Sequence, residues 1–144
     1  MASLIGYYSL VLSSILSFLI IFFSIRNFKD PKTFDNRIIT LSFLQFFLVF
    51  LSFLGLIISF INSDFSNETV FNHSHTTKPL FYKISGSWGN HEGSLLLWLL
   101  VLTIFIFIFF ISSKKLLNKY RILTVLFQEL IIIGFLLFIL FTSN

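Results

Sequence analysis

The chain has 144 residues, of which 56% are hydrophobic and 11% are charged, and its mean hydropathy is +0.95. So few charged residues cannot cover a globular surface, and this excludes an ordinary soluble domain. The net charge of +4 is too small, and too confined to short connections, to indicate nucleic-acid binding, and the lack of cysteine excludes disulfides and thiolate metal sites.

Four apolar runs are long enough to cross a bilayer: about residues 4–25, 38–61, 94–111 and 122–141. At 1.5 Å per helical residue, the first run of about 22 residues extends about 33 Å, which matches the thickness of the hydrocarbon core. We therefore predict an all-α polytopic membrane protein with four transmembrane helices. Residues 1–144 would form a single membrane domain with one long outer loop.

Two of these runs contain polar residues. Gln45 in the second run can bond to a neighbouring helix or to its own backbone. Glu129 in the fourth run would cost about 2–3 kcal/mol if ionised in the bilayer, so it should face protein or be protonated. It lies about two turns from Arg121, and we expect water to reach it there. A structural role for Glu129 is favoured over proton handling.

The long connection at 62–93 contains all three histidines. His73 and His75 would face the same side of a strand, but a metal site would need further ligands, and we predict a solvated polar loop without metal. Asn67-Glu-Thr and Asn72-His-Ser match the glycosylation sequon, which matters only in a secretory pathway.

Basic residues indicate the orientation in the membrane. The first connection carries Arg26, Lys29, Lys32 and Arg37, and the third carries Lys114, Lys115, Lys119 and Arg121, whereas the long loop carries only Lys78 and Lys83. Loops rich in lysine and arginine stay on the cytoplasmic or matrix side. Both termini and the 62–93 loop are therefore predicted to face the outer side.

The chemistry of the chain is concentrated between Trp88 and Trp98. In helical register Trp88, His91, Leu95 and Trp98 would share one face. An imidazole between two indoles at a membrane surface can hold a flat, anionic, amphipathic ligand. The alternative, which spacing alone favours, is an aromatic anchor in the interfacial belt with a polar helix cap.

The residues between these aromatics have predicted structural roles. Glu92 and Ser94 would lie at a helix start, where free N–H groups and the helix dipole favour a carboxylate and a hydroxyl. Gly89 and Gly93 would loosen the backbone beside them.

Residues 78–98, which contain Trp-Gly-Asn-His-Glu-Gly-Ser, resemble the early signature of the CcmF family. That family supplies the haem lyase membrane subunit of the cytochrome c maturation pathway. Residues 5–12 resemble its amino-terminal span, residues 64–66 the start of its first large outer loop, and residues 134–144 its fourth span. The resemblance therefore extends over nearly the whole chain.

The chain also departs from that family. Family members are several times longer, and the tryptophan-rich outer segment and later haem-ligating histidines have no counterpart here. The resemblance therefore implies the amino-terminal part of a haem lyase, with a partner chain carrying the remainder. None of the three histidines can be carried over as a known ligand, so the haem-facing set Trp88, His91 and Trp98 is predicted from position and environment.

On this resemblance, the chain would help to position haem for attachment to apocytochrome c, together with other membrane subunits, and would not be catalytic alone. Haem would bind through the assembly, and contact with apocytochrome c would be indirect. The alternative is a structural membrane subunit that stabilises a larger complex, for example a respiratory one. A small ion or proton transporter would rest only on Glu129 and His91.

Composition also bears on the compartment. The 22 phenylalanines, with many Ile, Asn and Lys residues, are typical of an AT-rich genome such as an organellar one. We therefore expect the mitochondrial inner membrane, with the 62–93 loop facing the intermembrane space. The alternative is a bacterial plasma membrane with that loop in the periplasm.

Overall fold

The structure, a computed structural model, describes residues 2–31 and 33–142. Lys32 lies outside the described residues, although it is one of the basic residues of the first connection. Residues 143 and 144, at the end of the segment 134–144 that resembles the family's fourth span, also lie outside them. The described elements are all helical: α1 (Ala2–Lys29), α2 (Asn36–Ile61), α3 (Glu68–His73), α4 (Leu80–Gly86), α5 (His91–Ser112) and α6 (Asn118–Thr142), with a 3₁₀ turn at Ser113–Lys115.

Four of these helices are long and apolar enough to cross a membrane, with mean hydropathies of 2.2 for α1, 2.5 for α2, 3.0 for α5 with its 3₁₀ turn, and 2.6 for α6. The predicted all-α fold with four transmembrane helices is confirmed. The helices extend beyond the apolar runs because flanking polar residues continue their first and last turns. The 62–93 segment is not simply a loop, since it contains α3, α4 and the start of α5.

The four long helices form a closed bundle. Helix α1 packs against α2 and α6, and α5 completes the ring by packing against α2 and α6. The core between them is apolar, and its largest fully buried members include Ile20, Ile38, Leu99, Ile106, Ile132 and Leu136. Many phenylalanines face outward instead, as expected where lipid replaces water around the bundle.

Small residues bring α1 and α2 together. A Cβ on Gly55 would lie 2.9 Å from the carbonyl oxygen of Ala2, and Gly6 is its neighbour across the contact. The buried faces of both helices are rich in serine, including Ser13 and Ser17 on α1. Small side chains let transmembrane helices approach closely, which increases van der Waals contact where no hydrophobic driving force exists.

The two short connections meet at one end of the bundle. Asn118 Nδ2 donates to the carbonyl oxygen of Pro31 over 3.2 Å. The Arg121 guanidinium lies 4.1 Å from the centre of the Phe34 ring, and Phe34 contacts Phe110 edge-on. The two most basic connections are therefore adjacent, as the orientation prediction requires. Which side of a membrane this end faces stays a prediction.

Candidate functional site

The opposite end of the bundle contains the Trp88–Trp98 stretch. Helix α4 packs against α2, and Lys83 Nζ donates to Ser63 Oγ over 2.7 Å. The chain then turns and begins α5 at His91. Trp88 therefore lies before α5 and does not share its helical register, contrary to the sequence prediction.

Asn90 caps the N-terminus of α5, a role that we did not predict from the sequence. Its Oδ1 accepts a hydrogen bond from the Gly93 N–H over 2.7 Å, and its Nδ2 donates to the Gly86 carbonyl over 2.9 Å. An asparagine directly before the His-Glu pair was the available signal, because Asn is among the preferred N-cap residues. The side chain thus joins the end of α4 to the start of α5.

Glu92 and Ser94 lie in the first turn of α5 but do not cap it. Ser94 Oγ donates to the His91 carbonyl over 2.8 Å. Glu92 does lie where the helix dipole favours a carboxylate. Its Oε2 is buried and has no hydrogen-bond partner among the residues the structure describes. The predicted position of these two residues at a helix start is therefore confirmed, although Asn90 and not Glu92 or Ser94 is the cap.

Gly93 and Gly89, which lie beside these residues, differ in how much space a side chain would have. A Cβ on Gly93 would collide with the carbonyl oxygen of Ser87, so this position admits only glycine without a backbone shift. Gly89 is less restricted, since a Cβ there would lie 3.4 Å from the Ser85 carbonyl oxygen. Gly93 therefore fixes the close approach of α5 to the preceding turn and does not loosen it.

Three of the four residues predicted to share one helical face do so on α5. His91 and Trp98 are exposed and Leu95 is half-buried between them. The His91 ring meets the Phe138 ring of α6 edge-on, with 6.1 Å between centroids. No hydrogen bond to either ring nitrogen of His91 is formed within the described part of the chain. The imidazole is therefore free to meet a ligand.

A shallow apolar groove lies beside this face, between α5 and α6. It has a volume of about 300 Å³ and is lined by Leu95, Leu130, Ile131, Gly134, Phe135 and Phe138. Nothing lies within 4 Å of a Cβ placed on Gly134, which leaves that part of the groove open. His91, which contacts Phe138, is therefore at the polar end of an apolar surface.

A second cavity of about 240 Å³ opens where α1 begins and α2 and α6 end. Glu68 and Glu92 are its acidic lining residues, whereas its interior includes Leu10, Leu96 and Ile139. Nearby, the Ser66 hydroxyl donates to Asp64 over 2.5 Å, and this hydrogen bond lowers the pKa of the Asp64 carboxyl below its usual value. Carboxylates from α3, α5 and the turn before α3 therefore lie at the end of the bundle that carries His91, where Lys78 and Lys83 are also located.

Glu129 lies far from this end, in the middle of α6. It is fully buried, so the expectation that water reaches it from the Arg121 end is wrong. Its Oε2 accepts hydrogen bonds from Ser17 Oγ over 3.0 Å and from Gln45 Nε2 over 3.2 Å. Glu129 therefore faces protein, as predicted, and Gln45 bonds across to neighbouring helices.

No family model matches the chain. Individual relatives identify its family instead. The chain is 44% identical over 100 residues to the cytochrome c-type biogenesis protein ccl1 of Rhodobacter capsulatus, a match that covers 69% of this chain and 15% of that protein. It is 38% identical over 114 residues to CcmF of Escherichia coli, covering 76% of this chain and 18% of that protein.

Comparison of the fold with solved structures points to the same family. A solved structure described as cytochrome c heme lyase CcmF superposes with a TM-score of 0.82 and 25% sequence identity, covering 94% of this chain and 23% of that one. The chain thus spans less than a fifth of the length of the curated relatives named here. As the sequence predicted, the chain belongs to the CcmF family of cytochrome c-type biogenesis proteins and matches one part of them.

Proposed function

We propose that this chain is the part of a cytochrome c haem lyase assembly that helps to position haem for attachment to apocytochrome c. The observation that carries this proposal is the superposition of nearly the whole chain on a haem lyase. The names of the relatives point to the same process. In this proposal the chain acts together with other membrane components of the lyase assembly.

The α5–α6 face is the surface that we assign to haem. Haem is flat and mostly apolar with an anionic edge, and it supplies the vinyl groups to which the cytochrome thiols are joined. The groove beside Leu95 and Phe138 offers an apolar surface, and His91 offers a free imidazole at its end. Trp98 extends the surface by one further turn of α5, and it is 62% exposed. These residues fit a porphyrin edge that a partner chain covers from the other side.

Trp88 contributes to this surface from outside α5. It is 40% exposed and follows Ser87, whose backbone packs against Gly93. Its position is therefore fixed relative to the first turn of α5, even though it is not in the same helix. In the proposal its indole stacks against the ligand near His91.

The compartment is also a proposal. The relatives named above are bacterial, which favours a bacterial plasma membrane with the 62–93 segment in the periplasm. In a mitochondrial inner membrane, which the AT-rich composition indicates, the same segment would face the intermembrane space. In both compartments the His91 end faces the side where cytochromes c receive haem.

The second candidate function is that of a structural subunit. Between 33% and 44% of the most apolar stretch of each span is buried within the bundle. Most of each span is therefore left to contact lipid or other subunits. In that case the α5–α6 groove would receive an apolar helix of a partner, and His91 and Trp98 would anchor the bundle at the membrane interface.

Purification of the native complex distinguishes the two functions. The haem lyase function predicts a haem absorption spectrum and co-purification of other cytochrome c maturation proteins. The structural function predicts an unrelated respiratory complex and no maturation protein. Co-purification with such a complex, without haem bound to the assembly, would contradict the proposal.

A further inference from the structure

A cluster of three polar side chains lies in the middle of the bundle, where α1, α2 and α6 meet. Ser17, Gln45 and Glu129 are all fully buried. Gln45 Nε2 donates to Ser17 Oγ over 2.6 Å, and both side chains donate to Glu129 Oε2. Each helix contributes one member, and the haem-facing surface proposed above uses none of them.

The hydrogen bonds of this cluster are incomplete in a specific way. The Gln45 amide nitrogen and the Ser17 hydroxyl donate, whereas Gln45 Oε1 and Glu129 Oε1 are buried without a partner among the described residues. Both atoms are acceptors when Glu129 is ionised, so the cluster lacks a donor. A proton on Glu129 Oε1 supplies one, since a carboxylic acid and a primary amide carry complementary donors and acceptors.

The charge of an ionised Glu129 would also be uncompensated. Among the described residues, the one carboxylate ion pair is between Arg37 and Asp35, at the start of α2. An unpaired charge in a low-dielectric interior is costly, and the group tends to become neutral instead.

Other ionisable groups on the four packed helices lie towards the helix ends. Arg121 is eight positions from Glu129, which corresponds to about 12 Å along α6. No hydrogen bond or ion pair joins any of these ionisable groups to Glu129 within the described part of the chain. The groups are Tyr7, Tyr8, Arg26 and Lys29 on α1, Arg37 on α2, His91 and Glu92 on α5, and Lys119, Tyr120 and Arg121 on α6.

We propose that the Ser17–Gln45–Glu129 cluster is a proton-binding site, in which Glu129 holds the proton and Gln45 Oε1 accepts a hydrogen bond from it. The proton completes the hydrogen bonds where three helices meet. Its loss leaves a buried negative charge there, which couples the protonation of Glu129 to the packing of α1, α2 and α6.

Carbodiimide modification in native membranes tests this site, because carbodiimides react with protonated carboxyls. Apolar dicyclohexylcarbodiimide is expected to modify Glu129, and a water-soluble carbodiimide is not. Peptide mass spectrometry should show that the modification decreases as the pH is raised from about 6 to about 9. Modification of Glu129 by the water-soluble reagent as readily as by the apolar one would overturn the proposal, because the carboxyl would then be open to water.

Two variants show whether the amide matters. Gln45→Leu removes the group that accepts from the protonated carboxyl, so it should shift the pH dependence of modification. Gln128→Leu is the matched control, because Gln128 Nε2 donates to the Leu102 carbonyl over 2.8 Å and not to Glu129. Equal effects of the two substitutions would overturn the role of Gln45.

Infrared spectroscopy keeps the proposal testable if the reagent cannot enter the bundle. The difference spectrum between the native assembly and its Glu129→Gln variant should contain the carbonyl band of a neutral carboxylic acid, shifted in D₂O. Carboxylate bands alone would show that Glu129 is ionised and would overturn the proposal.

Discussion

Gly93 packs so closely beneath the Ser87 carbonyl that any side chain at position 93 would overlap that oxygen. Asn90 reinforces this contact by bonding both to Gly93 N–H and to the Gly86 carbonyl. The end of α4 and the start of α5 therefore form one rigid corner. That corner fixes the positions of Trp88 and His91 relative to the rest of α5.

Replacing Gly93 by Ala should be strongly destabilising, because the new Cβ must displace the Ser87 backbone. Overpacking typically costs about 1–3 kcal/mol and occasionally more, and displaced backbone puts this site at the upper end. Thermal unfolding of the assembly and its abundance in membranes would measure the loss. Gly134→Ala is the control, since its Cβ meets open space and alanine favours a helix by up to about 1 kcal/mol. Equal stability of the two variants would contradict the close packing at Gly93.

Asn90→Ala should reduce the amount of assembled complex. Loss of an N-cap costs about 0.5–2 kcal/mol, and the bond to the Gly86 carbonyl is lost as well. Glu92→Ala should cost less, because Glu92 caps nothing and its buried Oε2 has no partner among the described residues. Immunodetection of the complex in membranes would compare the two. A larger loss for Glu92→Ala would show that the carboxylate, and not the amide, stabilises this helix start.

His91→Ala should impair cytochrome c maturation while the assembly still forms, because the imidazole is exposed and bonds to no described residue. Trp88→Ala should act similarly by removing an apolar face against which a porphyrin stacks. Haem staining of cytochromes c, normalised to the abundance of the complex, is the measurement. Phe81→Ala on α4 is the aromatic control, since Phe81 is 76% exposed and lies outside the α5–α6 face. Normal cytochrome c levels in the His91→Ala strain, at normal abundance of the complex, would leave this end of α5 as a structural anchor.

Cysteines introduced at positions 73 and 118 should react with a membrane-impermeant thiol reagent from opposite sides. Position 73 lies in the segment predicted to face the outer side, and position 118 lies next to Pro31, where the basic connections meet. The chain has no native cysteine, so the background is low. Labelling of both positions from the same side would contradict the orientation.

Neither sequon should carry a glycan, because the compartments proposed here lack oligosaccharide transfer. Asn67 also caps α3, where its Oδ1 accepts from the Thr69 N–H over 3.0 Å, whereas Asn72 is exposed. Asn72 is therefore the more sensitive reporter. A mass increase at Asn72 that a glycosidase removes would place the chain in a secretory pathway and contradict the haem lyase function.

The sequence alone determined the four membrane-spanning helices and the family. Length and hydropathy suffice for the first, because a bilayer accepts only runs of about 20 apolar residues in which every backbone group is bonded internally. The Trp-Gly-Asn-His-Glu-Gly-Ser stretch sufficed for the second. The sequence also indicated that Glu129 should face protein or be protonated, since lipid would not solvate its charge, whereas it left open whether Gln45 bonds to a neighbouring helix or to its own backbone.

The tertiary structure decided which of these residues meet. Ser17 and Glu129 are 112 positions apart and touch only because α1 lies beside α6 in the ring. Small and polar residues mark the inward faces of α1 and α2, but they do not specify which helices are neighbours in the bundle. The start of α5, in contrast, is decided locally. Asn90 bonds to Gly93 and Gly86, which lie three and four positions away, and an asparagine before a helical run is a cap that the sequence could have indicated.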